Sequence, residues 1–266
     1  KSFNLMNYNV LVIGDSCEDE YIYGDCSRLN PEGPIPVLDK TSTEVKAGMA
    51  ANVNANLKSL GIKTNLITQK ETIKKTRFVD RKSNYQLLRV DSTPEVTPLS
   101  APQVKMAFMH SRYDALVISD YNKGFLTIQS MQTICTYFRG PIFIDTKKTK
   151  LFQQSNVFYK INKKEYDLLD RKYMPSDTNL IVTLGANGCK WSGIHFQPRT
   201  VNVFDVCGAG DTFLAALVSE FLVTKDMQRS IDLANRAASI SVENPGTYQL
   251  TRSDIERIYN ERIQTT

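Results

Sequence analysis

The chain has 266 residues, of which 41% are hydrophobic and 23% charged, so it resembles a globular protein and not a disordered or fibrous chain. This length suits a single α/β domain. The 33 basic and 28 acidic residues give a net charge of +5, with no Lys/Arg block typical of a nucleic-acid-binding arm. We therefore expect no nucleic-acid partner.

The cysteines and histidines exclude several kinds of site. Five cysteines occur without a CxxC pair, which favours a reducing compartment over a disulfide framework or a Cys-rich zinc site. The two histidines, His110 and His195, form no HExxH motif and are given no role. No apolar run approaches the roughly 18 residues of a membrane span. The N-terminal KSFNLMNYN lacks the apolar stretch of a signal peptide, so we expect a cytoplasmic protein without a membrane partner.

Short apolar runs alternate with helical patterns, which predicts a mostly parallel sheet wrapped by helices. The predicted strands are Val10–Ile13, Thr64–Thr68, Ala115–Ser119, Ile142–Asp145, Val157–Ile161 and Leu180–Thr183. The predicted helices are Ala51–Leu60, Pro102–His110, Thr127–Phe138, Thr212–Val223, Met227–Val242 and Ser253–Arg262. Residues 21–47 and 76–91 are rich in Thr, Val, Tyr and charge, and they predict a small sheet that projects from the main body.

The strongest local motif is DVCGAGDTF, which begins at Asp205 and runs into a helical pattern. Small residues at a helix N-terminus let backbone N–H groups approach an anion, and the helix dipole favours negative charge there. Asp211 lies in the first turn beside such an anion. One interpretation is a general base that works next to a transferring phosphoryl group. The other is a helix cap preceded by turn glycines, and the motif alone does not decide between them.

A second motif, NKKE, follows the predicted strand Val157–Ile161. Strand C-termini face the ligand crevice of a parallel sheet, so Asn162 and Glu165 could hold magnesium-bound waters near a nucleotide. An Asn N-cap with a capping-box Glu explains the same spacing and is favoured by the pattern alone. Both interpretations can hold together.

Further polar and glycine residues follow other predicted strands or open a helix. Asp15 ends LVIGD and Asn52 opens a helix in AGMAANV, while SDYNKG and TLGANG follow two core strands. Turn chemistry explains each case singly. Together they predict one polar rim at one edge of one sheet. No Walker loop and no protein-kinase HRD or DFG motif occurs, so a kinase here needs another architecture.

Several of these motifs resemble those of one enzyme family. DVCGAGDTF, NKKE and AGMAANVNANLKSLG resemble the signatures of the ribokinase superfamily of carbohydrate kinases, and the resemblance runs from about Val10 to Leu250. GDSCEDEYIYGDCSRLNPEGPIPVLD, QLLRVD, ALVISDYNKG and FIDTKK look like the branch that phosphorylates D-glycero-D-manno-heptose 7-phosphate at C1. The resemblance implies a three-layer α/β/α sandwich with a β-sheet lid, formed by 21–47 and 76–91, through which the chain forms a homodimer.

The resemblance also implies a role for particular positions. Asp211 is the implied catalytic base, and the amides of Gly208, Ala209 and Gly210 form the anion hole. The implied ATP-binding residues are Asn162, Glu165, Thr183, Gly185, Gly188, Asn235 and Ala238. The resemblance also implies Mg²⁺, which Glu165 would order through water, and it allows a monovalent cation. The implied sugar-binding residues are Asp15, Gly48, Asn52 and Asp120. The candidates for the phosphate of the phosphorylated sugar, which needs basic partners, are Arg77, Arg89, Lys123 and Lys147.

Two departures from the family pattern keep alternatives open. Met49 stands where the family has glycine, and we expect it to add bulk beside the sugar pocket. Between Leu60 and Thr76 the chain lacks a strand and a helix that family members usually carry, which predicts a more open wall. A ribokinase-like kinase for another sugar or nucleoside is the second hypothesis. A catalytically silent nucleotide-binding protein is the third, and the intact Asp211 and GAG sequence argue against it.

Overall fold

A computed structural model describes residues 5–109 and 111–264. The first half contains strands β1 (Asn9–Gly14), β2 (Ser16–Leu29) and β3 (Pro36–Met49), helix α1 (Ala50–Ser59), strands β4 (Lys63–Ile67), β5 (Ile73–Asp80) and β6 (Gln86–Ser92), and helix α2 (Ala101–Met109). Next come β7 (Ala115–Asp120), α3 (Ile128–Tyr137), β8 (Ile142–Thr146), β9 (Val157–Asn162) and α4 (Lys163–Asp167). The rest contains β10 (Leu180–Thr183), β11 (Cys189–Trp191), β12 (Ile194–Phe196), α5 (Ala209–Thr224), α6 (Met227–Ser241) and α7 (Arg252–Gln264).

The main sheet has eight strands in the order β12-β11-β10-β9-β8-β7-β1-β4. Six neighbouring strands, β10, β9, β8, β7, β1 and β4, are parallel. The β11–β12 hairpin adds two antiparallel strands at one edge. The carboxyl ends of the parallel strands therefore share one rim, as the sequence predicts. The predicted strands are confirmed within one residue at most ends.

Helices cover both faces of this sheet, so the fold is a three-layer α/β/α sandwich. Val10 and Val12 of β1 pack in one apolar cluster with α1, α5, α6 and α7. Leu11 and Ile13 of the same strand pack in a second cluster with α2 and α3. Because both faces are buried, the central strands are nearly continuous apolar runs without polar alternation. No helix within the described residues is both long enough and apolar enough to span a membrane.

A separate four-stranded sheet, in the order β3-β2-β5-β6, occupies the segments predicted to project from the body. We call it the lid. Its strands are longer than predicted, since β2 begins at Ser16 and β3 continues to Met49. Register places Asp19, Lys75 and Asp91 on one row and Tyr21, Arg77 and Arg89 on the next. Opposed residues share a face, and because Asp19, Tyr21 and Arg77 are buried, this inner face points to the body.

The helix predicted over Pro102–His110 is α2, and His110 lies outside the described residues. Between Leu60 and Thr76 the chain forms only β4 and a short connection to β5, so β4 is the edge strand of the main sheet. This agrees with the expected loss of a peripheral unit.

Candidate active site

The N-terminus of α5 is built to approach a ligand closely. Gly208 caps the helix with a φ of 75°, a conformation that side chains disfavour. A Cβ at Gly208 would lie 2.9 Å from Nδ2 of Asn52, and one at Gly210 would lie 2.8 Å from Nζ of Lys160. The first N–H groups of a helix lack intrahelical acceptors, so this turn offers donors and a positive dipole end to an anion.

Asp211 lies in the first turn of α5 and is only 3% exposed. Its Oδ2 accepts a hydrogen bond from Asn52 Nδ2 at 2.9 Å, and its Oδ1 accepts one from the Tyr121 hydroxyl at 2.8 Å. Burial raises the pKa of Asp211 to about 6, while these two donors oppose the rise. A carboxylate with a pKa near 6 is ionised at neutral pH and can still accept a proton.

A buried ion pair lies next to the first turn of α5. Lys160 of β9 pairs with Asp145 of β8, and Lys160 Nζ also donates to the carbonyl of Gly210 at 3.2 Å. Neither Lys160 nor Asp145 is among the site residues predicted from the sequence. A lysine inside the apolar strand VFYKIN was the available signal, because such a charge needs a partner when it is buried.

Asn162 and Glu165 form the capping box that the pattern favours. Glu165 N donates to Asn162 Oδ1 at 2.9 Å, and Asn162 N donates to Glu165 Oε2 at 2.8 Å. Glu165 also pairs with Lys147, which follows β8. Lys147 therefore faces the predicted nucleotide residues, and in this structure its charge is balanced by Glu165.

On the inner face of the lid, Asp19 pairs with Arg77, and both are buried. Arg77 also reaches the Cys207 thiol at 3.5 Å, next to the α5 cap. Gly48 is explained here, because a Cβ at that position would collide with the Asp19 carboxylate and the Cys17 thiol. Asp19 is not among the site residues predicted from the sequence, and it lies just before the predicted lid segment 21–47.

Asp15 and Asp120, both predicted to bind the sugar, are turned to the backbone and to neighbouring side chains. Asp15 Oδ2 accepts from the backbone N–H groups of Tyr121 and Lys123 at 2.8 and 3.3 Å. Asp120 accepts from Thr146 Oγ1 at 2.6 Å and pairs with Lys148 at 3.2 Å. Both carboxylates are fully or almost fully buried, as are Asn52 and Asp211. Their hydrogen bonds shape the loop after β7. Oδ1 of Asp15 has no hydrogen-bond partner among the described residues, and sugar binding by Asp15 and Asp120 stays a prediction.

The remaining basic candidates lie toward the rim. Arg89 pairs with Asp91 on the exposed strand β6 at 2.6 Å, directly opposite Arg77 in the register. The pKa of Asp91 is lowered, first by Arg89 and also by Lys75 and Lys123. Arg89, Lys75 and Lys123 are thus the basic side chains that act on the Asp91 carboxylate.

The predicted nucleotide residues lie near the ends of β9 and β10 and along α6, and they differ in their contacts. Gly185 has a φ of 59° and open space around its Cα, as a loop over a ligand would have. Thr183 Oγ1 donates to the Ile161 carbonyl at 3.4 Å. Gly188 is needed by the hairpin, since a Cβ would collide with the Phe196 carbonyl.

Helix α6 supplies Asn235 and Ala238. Asn235 Nδ2 donates to the Gln197 carbonyl at 2.7 Å, which joins α6 to the segment after β12. Ala238 is partly buried against the apolar cluster under α5 and α6. In this structure the Asn235 amide therefore has a structural partner, and adenine contact by either residue stays a prediction.

Met49 packs into the apolar cluster on the α2 and α3 side, and its φ of 59° with ψ of −133° is a backbone conformation that favours glycine. The methionine is 3% exposed. We correct the expected bulk in the pocket, because the side chain fills the core.

The residues around the rim fit a magnesium ion that is bound largely through water and phosphate. The described residues contain no cluster of three or more His, Cys, Asp or Glu side chains that would enclose a metal. Asp145 Oδ1 is buried without a hydrogen-bond partner among them, and Glu165 lies across the same rim. Mg²⁺ typically keeps several waters and uses one or two carboxylates with substrate phosphates, which matches this donor set.

Part of the chain matches the model of a known protein family. Residues 163–253 match the pfkB family of carbohydrate kinases. The bifunctional protein HldE of Hydrogenovibrio crunogenus is 31% identical over an alignment of 306 positions that covers 96% of this chain. That of Haemophilus influenzae (strain PittEE) is 30% identical over 96% of the chain. The chain spans 63% and 64% of these relatives. Because 306 exceeds 266, at least 40 aligned positions have no counterpart here.

Solved structures share the fold at low sequence identity. Ribokinase from Thermotoga maritima has a TM-score of 0.67 and 16% identity, covering 95% of this chain and 99% of that one. Phosphofructokinase-2 from Escherichia coli has a TM-score of 0.70 and 14% identity, covering 96% and 98%. The predicted ribokinase-like fold is confirmed.

Proposed function

The chain belongs to the pfkB family of carbohydrate kinases, and from this premise we propose that it transfers the γ-phosphoryl group of ATP to the anomeric hydroxyl of D-glycero-D-manno-heptose 7-phosphate. The 1,7-bisphosphate is the product. The relatives named HldE and the heptose-branch motifs of the sequence support this substrate. The second candidate is a kinase for another sugar.

The observation that carries the proposal is the buried Asp211 at the N-terminus of α5. The carboxylate is ionised at neutral pH and lies in the same helical turn as the Gly208–Gly210 amides. A sugar hydroxyl beside Asp211 gives up its proton to the carboxylate while its oxygen attacks the γ-phosphorus. The bond between the γ-phosphorus and the β–γ bridging oxygen breaks, and ADP leaves. The amides stabilise the negative charge on the moving phosphoryl oxygens.

The nucleotide would lie along the ends of β9 and β10. We propose that Asn162, Glu165, Thr183, Gly185 and Gly188 border its phosphates and ribose, with Asn235 and Ala238 near the base. Magnesium, when bound, supplies charge neutralisation and orientation for the phosphates, and Glu165 and Asp145 would hold it through water. The Lys160 ammonium adds positive charge beneath the same turn.

The acceptor would lie under the lid. We propose that Asp15, Asp19 and Asn52 bind sugar hydroxyls. We also propose that the acceptor's own phosphate lies at the rim near Arg89 and Lys123. Arg77 is paired with Asp19 and Lys147 with Glu165 in this structure. Both add positive charge to the proposed pocket. They would bind the phosphate directly only if it displaced these carboxylates. A dianionic phosphate needs several such donors.

ADP release in the presence of magnesium-ATP tests the function. The acceptors are D-glycero-D-manno-heptose 7-phosphate, ribose, fructose 6-phosphate and adenosine, each at matched concentration. We expect turnover with the heptose phosphate at least tenfold above the others, since only it joins a heptose to a phosphate at the far end. Preferential turnover of another acceptor would discard the heptose substrate and keep the kinase. No turnover with any of them would contradict the proposal.

We further propose a cytoplasmic homodimer that forms through the outer face of the lid. All five cysteines are free thiols, which suits a reducing compartment. The outer face presents Val45, Leu88 and Val90, which are 54%, 56% and 47% exposed, beside the Lys74–Glu18 ion pair. Apolar residues with both charge signs make a surface that can pair with a second copy of itself.

A further inference from the structure

Tyr121 reaches the base from the loop after β7, and no motif gives it a role. Its hydroxyl donates to Oδ1 of Asp211 at 2.8 Å, while Asn52 donates to Oδ2 at 2.9 Å. The last torsion of an Asp side chain has broad preferences. Two donors from separate elements, one on each oxygen, therefore fix the plane of the carboxylate.

We propose that Tyr121 is a positioning residue for Asp211, which holds the carboxylate in one plane and in the ionised form that accepts the proton of the sugar hydroxyl. This inference rests on the proposed kinase function. Each carboxylate oxygen has two lone-pair sites. One hydrogen bond on each oxygen therefore leaves a site for the acceptor hydroxyl, so the two donors orient the base without blocking it.

Two lysines contact the Tyr121 ring, and a hydrogen bond holds its backbone. Lys75 of the lid lies with its Nζ 5.5 Å from the ring centroid, and Lys147, after β8, lies 5.1 Å from it. Such cation–π contacts favour one ring position. The Tyr121 backbone N–H donates to the buried carboxylate of Asp15 at 2.8 Å. The direction of the hydroxyl is thus set by the lid, by the nucleotide side of the site and by the loop.

The groups around Asp211 show that Tyr121 is the donor and Asp211 the acceptor of their hydrogen bond. Those that face Asp211 are Cys17 of β2, Asn52 of α1, Tyr121, Asp145 and Lys147 at the end of β8, and Lys160 of β9. Burial raises the pKa of Tyr121 well above its ordinary value of 10, so its phenol stays protonated. Tyr121 is therefore a donor to Asp211 and not a second base.

Tyr121→Phe isolates the hydroxyl, because phenylalanine keeps the ring and its contacts with the two lysines. We expect kcat to fall roughly 10- to 100-fold, since hydrogen bonds to charged groups are among the stronger ones in proteins. The KM for ATP should stay within about twofold. A donor to the charged form lowers a pKa, so its loss moves the acid limb of kcat/KM, expected near pH 6, upward by about one pH unit.

A second measurement does not depend on turnover. Infrared difference titration of the substrate-free protein follows the carbonyl stretch of the protonated Asp211 carboxyl, which is assigned by its loss in Asp211→Asn. We expect a midpoint near pH 6 in the wild type and a higher midpoint in Tyr121→Phe. Tyr137→Phe, at a half-exposed tyrosine of α3, is the matched control and should leave both readouts unchanged.

The two readouts separate failure of this inference from failure of the kinase function. If the wild type phosphorylates no acceptor but the infrared midpoint rises in Tyr121→Phe, the function fails and the hold of Tyr121 on Asp211 stands. An unchanged midpoint in Tyr121→Phe overturns the inference, whether or not the melting temperature falls. Unchanged kcat together with an unchanged acid limb overturns it as well.

Discussion

The Asp211 carboxylate combines three conditions that suit the proposed general base: burial, a plane fixed by two hydrogen bonds, and a place in the first turn of a helix. Burial alone would favour the neutral acid, and the hydrogen bonds from Asn52 and Tyr121 oppose this. Lys160, which is partnered by Asp145, adds a positive charge close by. The pKa of about 6 is the balance of these opposing effects.

Asp211→Asn tests this residue directly. The amide is nearly isosteric with the carboxylate but cannot accept the proton of the sugar hydroxyl, so turnover should fall by roughly two or more orders of magnitude. ATP affinity, measured by calorimetry, should change by no more than a few-fold. Asp177→Asn, on an exposed short helical turn, is the control. Turnover near the wild-type rate in Asp211→Asn would remove Asp211 from the chemistry.

At the scale of single elements, the start of α5 depends on backbone conformation as much as on side chains. Gly208 has a positive φ and lies against Asn52 and Thr247. A side chain there would strain the cap and would also displace the amide that holds Asp211. The start of the short helix α4 also depends on local bonding, since its capping box fixes Asn162 and Glu165 at the rim.

Gly208→Ala and Gly193→Ala form a matched pair. Both glycines have a positive φ, 75° and 78°, but a Cβ at Gly193 would have no heavy atom within 4 Å. Gly193→Ala should lower the free energy of unfolding by roughly 1–2 kcal/mol, the cost of the left-handed conformation, with normal turnover. Gly208→Ala should lower the free energy of unfolding by at least as much. It should also lower turnover tenfold or more. Urea unfolding and ADP release measure the two effects, and equal turnover in both variants would contradict the role of the cap.

At the scale of the whole molecule, the two faces of the lid differ in character. Its inner face carries Asp19 and Arg77, and its outer face carries exposed apolar side chains. In the main sheet β4 is left at the edge, because the chain passes directly from β4 to the lid. The site thus has fewer neighbours on the β4 side than a sheet with one more unit would give.

The outer face of the lid predicts the oligomeric state. Leu88→Glu would place a charge in the centre of the proposed interface, where a desolvated unpaired carboxylate is costly. We expect light scattering to give a dimer for the wild type and a monomer for the variant. Met106→Glu, at an equally exposed apolar residue of α2, should stay dimeric. A monomeric wild type at micromolar concentration would contradict the lid interface.

Local sequence patterns are enough to predict the elements and the short motifs. Continuous apolar runs predict the buried parallel strands, and the glycines before Asp211 predict the start of α5. The NKKE spacing predicted the capping box of Asn162 and Glu165. These features depend on neighbours within a few residues, so local patterns suffice to predict them.

Which polar side chains meet depends on contacts between segments that are far apart in the sequence. Asp211 is hydrogen-bonded to Asn52 across 159 positions and to Tyr121 across 90, and no local pattern encodes such separations. Asp19 likewise meets Arg77 across 58 positions, and Asp15 meets the backbone N–H of Tyr121 across 106. Side-chain direction follows strand register and sheet packing, which form only when distant segments come together.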